Sequence, residues 1–170
     1  MKWGDVAARA GRNDLPALLA TAVFIDRNLT DEDQIRKGVR DAWTMPEWPL
    51  ATLGPDIWGM LFGRVLELGS EWLDDEANKR PSSELPEAVT LWRGATHEHR
   101  AGMSWTSDRD KAAWFATRFT GTRMQPAKLY EITAAPHMVF ARFDHRGESE
   151  WVLDPEMILE DDPCEVAISG

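Results

Sequence analysis

A chain of 170 residues, 43% hydrophobic and 28% charged, carries enough apolar material for a compact core and lacks the bias of a disordered polyelectrolyte. Its formal net charge of −10 discourages non-specific binding to nucleic acid or to an anionic membrane, and no apolar run reaches the roughly 18–20 residues of a membrane span. The one cysteine, Cys164, excludes an internal disulfide and a cysteine zinc cluster. No apolar signal core follows Met1-Lys2-Trp3-Gly4-Asp5, so a soluble, unexported protein in a reducing cytoplasm is expected.

Residues 1–85 read as a helical N-terminal portion. Leu15 to Phe24 has helical apolar spacing, with Asn13 or Asp14 as its cap. A stronger start is Thr30-Asp31-Glu32-Asp33: Thr30 caps, Asp33 completes a capping-box pattern, and the acids suit the positive end of the helix dipole. That helix runs to about Trp43, where Met45-Pro46-Glu47-Trp48-Pro49 breaks it. Pro55 to Leu68 presents Ile57, Trp58, Leu61, Phe62, Val65 and Leu66 on one stripe, and Gly69 ends it. A short helix over Ser70 to Ala77 and a polar linker over Asn78 to Pro86 complete the half.

Residues 86–170 change character. Strands are predicted over Ala88 to Arg93, Gly102 to Thr106, Lys128 to Thr133, Met138 to Phe143, Glu150 to Leu153 and Cys164 to Ile168. One helix begins at Ser107-Asp108-Arg109-Asp110, with Ser107 as cap. The nine tryptophans are spread along the chain, and most are expected as core anchors because a buried indole removes a large apolar area from water. The expected class is α+β: a helical portion packed on a mixed β-sheet core, the two forming one compact unit.

Three local patterns carry chemistry. In Leu91-Trp92-Arg93-Gly94 an arginine closes a strand, and the glycine after it permits close approach to the backbone. In Gly102-Met103-Ser104-Trp105-Thr106-Ser107-Asp108, hydroxyls lie on a strand that leads into a helix N-terminus. In Gly147-Glu148-Ser149-Glu150-Trp151, two acids two residues apart share one side of a strand or its leading loop, a like-charge pairing that raises the energy of both. Singly, each has an ordinary structural reading: a surface arginine, a helix cap, an exposed pair of acids. His97 and His99, in Thr96-His97-Glu98-His99-Arg100, lack further ligands nearby and read as a solvated loop, so no metal site is expected.

Taken in order, these patterns resemble the mono-ADP-ribosyltransferase family of the arginine, serine, glutamate type. The resemblance covers roughly Pro86 to Pro155 and extends to the helix carrying Ala112-Ala113-Trp114-Phe115-Ala116. It implies an ADP-ribosyltransferase core with NAD as substrate. Glu150 would hold the ribose and stabilise the oxocarbenium-like transition state, and Glu148 would align the acceptor. Arg93 and Gly94 would meet the dinucleotide, Ser104 and Thr106 would steady Arg93 and Glu150, and Trp105 would stack on nicotinamide. Trp105 interrupts the hydroxyl run, so Ser104 and Ser107 both compete for the role of its first or last serine. A Glu at position 148 implies a protein arginine as acceptor, and compact family members of this size act as toxins or as bacterial or phage effectors. Two alternatives stand beside this: an NAD glycohydrolase, with water as acceptor, and an acidic binding or inhibitor protein that occludes a nucleic-acid-binding partner. The second is motivated by Asp31-Glu32-Asp33, Asp74-Asp75-Glu76 and Glu160-Asp161-Asp162.

Overall fold

The structure, a computed structural model, describes residues 1–68, 73–74, 87–118, 126–144, 149–159 and 162–168. The chain divides into two compact units, Met1–Ser82 and Ser83–Gly170.

The first unit contains helices α1 (Trp3–Ala7), α2 (Leu15–Ala20), α3 (Glu32–Thr44), α4 (Pro49–Thr52) and α5 (Pro55–Glu67). Helix α2 continues into a single wide turn, Thr21–Ile25, so the helical run expected to reach Phe24 changes hydrogen-bond pitch at Thr21. The cap of α3 is Asp31, one residue later than Thr30: its carboxylate accepts from the Gln34 amide at 3.0 Å. A carboxylate also suits the positive helix end better than a hydroxyl does. Helices α3 and α5 bury Ile35, Val39 and Trp43 with Trp58, Leu61, Phe62 and Val65. Trp43 meets Trp58 edge-on, with ring centroids 4.9 Å apart. Trp3 on α1 is fully buried, and its indole donates to Asp41 at 3.1 Å. Leu73–Asp74 lie in a short strand, β1, where a helix from Ser70 to Ala77 was expected; the rest of that span and the linker fall outside the described residues.

The second unit is built on strands β2 (Val89–Ala95), β3 (Ser104–Thr106), β4 (Lys128–Ala134), β5 (Val139–Phe143), β6 (Glu150–Leu153) and β7 (Cys164–Val166), with helix α6 (Arg109–Arg118) between β3 and β4. Their order is β5-β6-β3-β2-β4-β7. Every pairing among these six is antiparallel, which corrects the expected mixed sheet. Strands β3 and β4, joined through α6, run in the same sense, but β2 lies between them, so they are not neighbours and no ladder among the six is parallel.

Strand β2 lies between β3 and β4. Its ladder with β4 runs the full length, from Val89 opposite Ala134 to Ala95 opposite Lys128. Its ladder with β3 holds a single pair, Trp92 opposite Thr106. Helix α6 packs on β2 through Gly94: a Cβ there would fall 2.4 Å from the Ala112 carbonyl oxygen and 2.5 Å from the Ala116 nitrogen. The helix is therefore seated by Gly94, Ala112 and Ala116 together. Its own cap is Asp108, whose carboxylate accepts from the Lys111 amide at 3.0 Å, in place of the expected Ser107. Among the described residues, no helix is long and apolar enough to cross a membrane.

Candidate active site

Strand alternation sorts the predicted residues. Thr106 stands opposite both Trp92 and Glu150, and Ser104 stands opposite Val152. Directly opposed residues share a face, so Ser104, Thr106, Trp92 and Glu150 lie on one side of the sheet. Trp105 stands opposite Trp151 on the other side.

Ser104 is the centre of the arrangement. Its hydroxyl donates to Glu150 Oε1 at 2.6 Å. Its carbonyl accepts from Nη1 of Arg93. A second carbonyl, that of His99, accepts from Arg93 Nε at 3.0 Å. The side chain of Arg93 starts on the Trp105 face, but β2 and β3 separate after the Trp92–Thr106 pair, and the guanidinium bridges the carbonyls left beyond it. Burial presses the Arg93 pKa down to about 10, while the negative charge of Glu150 opposes that shift. The group stays a cation at neutral pH. Among the described residues it makes no carboxylate hydrogen bond, and carbonyls supply no formal counter-charge. A carboxylate and a guanidinium that makes no carboxylate hydrogen bond among the described residues thus stand on either side of one serine.

Gly102 makes this possible, and the sequence reading missed it. A Cβ at Gly102 would lie 2.5 Å from Arg93 Nη2 and 2.8 Å from its Cζ. The glycine leaves the volume in which the guanidinium sits. The loop between β2 and β3 is shaped to present its carbonyls, with the His99 oxygen accepting from the Gly102 amide at 3.3 Å as well as from Arg93. His97 anchors that loop. Arg100 Nη1 lies 3.3 Å from His97 Nε2, and the Tyr130 hydroxyl lies 3.5 Å from Nδ1. A guanidinium can only donate, so in its contact with Arg100 the His97 Nε2 takes the acceptor role.

Three predicted residues, Trp105, Gly94 and Thr106, make other contacts. Trp105 is 2% exposed and its indole donates to the Gly102 carbonyl at 2.7 Å, so it is a core anchor on the face away from Glu150 and offers no surface for stacking. The open side of Gly94 is filled by the backbone of α6, so the close approach it permits is that of a helix. Thr106 stands beside Glu150, but its hydroxyl accepts from the Asp108 amide at 3.0 Å and tethers the start of α6. Glu148 lies outside the described residues. Between the two serines the geometry chooses: Ser104 meets Glu150, while Ser107 donates to Ser149 at 2.8 Å. Among the described residues, no group of three His, Cys, Asp or Glu side chains is placed to hold a metal ion.

Set against known proteins, the chain matches no family model, no curated protein and no solved structure.

Proposed function

We propose that this protein is a mono-ADP-ribosyltransferase that cleaves NAD at the nicotinamide–ribose bond and passes ADP-ribose to a protein side chain, an arginine first. The observation that carries the reading is the bridging role of Ser104, which holds Glu150 through its hydroxyl and Arg93 through its carbonyl. Three residues from separate motifs, up to 57 positions apart in a sequence-ordered pattern from 93 to 150, meet at one point of the sheet.

The chemistry follows from the charges. As the C–N bond breaks, its electron pair leaves with nicotinamide and positive charge grows on the ribose. A carboxylate beside that ribose is worth more in the transition state than in the ground state. Glu150 supplies it, and the Ser104 hydroxyl fixes which carboxylate oxygen faces the sugar. Arg93, short of a counter-charge, pairs with the diphosphate by charge-assisted hydrogen bonds. The acceptor nitrogen then attacks the ribose carbon and gives up its proton; Glu148, in the role the family resemblance implies, receives it. A water in place of the arginine makes the same site an NAD glycohydrolase. An effector or toxin acting in the cytoplasm is the setting in which such an activity is most useful.

The acidic-mimic alternative loses support at its first acid run. Asp31 caps α3, and Glu32 and Asp33 both pair with Arg36. The test is labelled NAD incubated with a cell lysate and the purified protein, beside Glu150→Gln. A labelled protein band that requires Glu150 supports the transferase. Nicotinamide release without a band assigns hydrolysis, and neither product from folded protein rejects the reading.

A further inference from the structure

We infer that Asp144, Ser149 and Ser107 form a positioning chain that sets the carboxylate of Glu150, an inference that rests on the transferase reading of that residue. The chain has one polarity. Asp144 as a carboxylate only accepts, so Ser149 Oγ donates its proton to Asp144 Oδ1, at 3.2 Å. The Ser149 oxygen is then free to accept from Ser107 Oγ, at 2.8 Å. The second oxygen of Asp144 is held by Arg142 Nη2 at 2.8 Å, and the Arg142 guanidinium lies 5.3 Å from the centre of the Trp151 ring.

These bonds tie the end of β5, the residue before β6 and the residue after β3 into one row. The neighbouring row is Phe143, Glu150 and Thr106, paired strand to strand. A main-chain bond from the Ser107 amide to the Ser149 carbonyl, 3.3 Å, reinforces the tie. Continuing the strand alternation, the chain of hydroxyls lies on the face opposite the Glu150 side chain and acts on it through the main chain. Glu150 is therefore fixed from two directions: by Ser104 at its oxygen, and by Ser149 at the main chain just before it. Asp144 is about half exposed, at 49%, so its charge is screened by solvent and its effect on Glu150 is geometric.

The test uses the full chain and two readouts. One is the side-chain carboxyl ¹³C resonance of Glu150, assigned by its loss in Glu150→Gln. The other is kcat and KM for nicotinamide release. Ser149→Ala, Ser107→Ala and Asp144→Ala should each move the Glu150 resonance. They should lower kcat about ten- to hundredfold, the scale set by a slightly misplaced catalytic group, with KM for NAD nearly unchanged. Ser149→Thr keeps the hydroxyl and should restore both. A Glu150 resonance that stays in place in Ser149→Ala and Ser107→Ala overturns the positioning chain, whatever the activity. A resonance that moves while no protein, wild type included, releases nicotinamide supports the chain and rejects the transferase reading instead.

Discussion

Arg36 in the helical unit and Arg93 in the sheet unit are both drawn into the protein and both held by main-chain carbonyls, but only Arg36 has its charge matched. Arg36 is 8% exposed, pairs with Glu32 and Asp33 from the preceding turn of its own helix, and donates to the Leu68 carbonyl at 3.3 Å. It ties the end of α5 to α3 and is neutralised by the carboxylates it reaches. Among the described residues, Arg93 donates to the carbonyls of His99 and Ser104 and is hydrogen-bonded to no carboxylate, while the charge of Glu150 acts on it through space. A cation matched within its own helix serves the fold. A cation held in place but left without a bonded counter-ion is suited to an anionic ligand.

The comparison can be broken at four places. The largest effect is expected from Gly94→Ala, because the new Cβ meets helix backbone that cannot swing aside. Loss of roughly 3 kcal/mol is expected, the upper range for overpacking, read from the denaturant midpoint. Next is Gly102→Ala. Its Cβ meets the far end of the Arg93 side chain, which can move, so the fold should survive while the guanidinium is displaced. NAD binding, measured by calorimetry, should weaken about ten- to hundredfold, as for the loss of charge-assisted hydrogen bonds.

Trp105→Phe keeps a buried ring and removes the donor to the Gly102 carbonyl. About 1 kcal/mol of stability should go, with KM for NAD unchanged, since the indole faces away from Glu150. The smallest effect belongs to Arg36→Met. Glu32 and Asp33, 40% and 69% exposed, return to water once their partner is gone, so the cost is about 1 kcal/mol or less and turnover is untouched. A drop in NAD turnover for Arg36→Met comparable to that of Gly102→Ala would erase the distinction between the two arginines.

Much of this was legible in the sequence. The period of the apolar residues located α3 and α5, and β6 falls on Glu150–Leu153 as its composition indicated. The order of Arg93, a hydroxyl-bearing strand and Glu150 was legible, but Ser104 and Ser107 stayed open as alternatives, and Ser104 is the one that meets Glu150 and Arg93. The resemblance gave Trp105 a stacking role on nicotinamide, yet a residue between two hydroxyls on a strand points away from them, and Trp105 is buried on the face away from Glu150. Gly94 was read as room for a ligand, because a sequence cannot say whether a substrate or a helix approaches a glycine. The partners of Arg93 left no trace, since a main-chain carbonyl can belong to any residue and only the loop fold selects His99. The tie from Ser107 through Ser149 to Asp144 joins positions 37 apart, and strand register alone creates it.

The measurement that bears most directly on the central claim is the rate of nicotinamide release from NAD by the purified protein, wild type against Glu150→Gln, over a range of NAD concentrations. The account predicts measurable release by the wild type and a fall in kcat of about a hundred- to a thousandfold in Glu150→Gln, the scale of losing one preorganised charge-stabilising group, with KM little changed. Equal rates in the two proteins, or no release by a wild type that is folded, would contradict it.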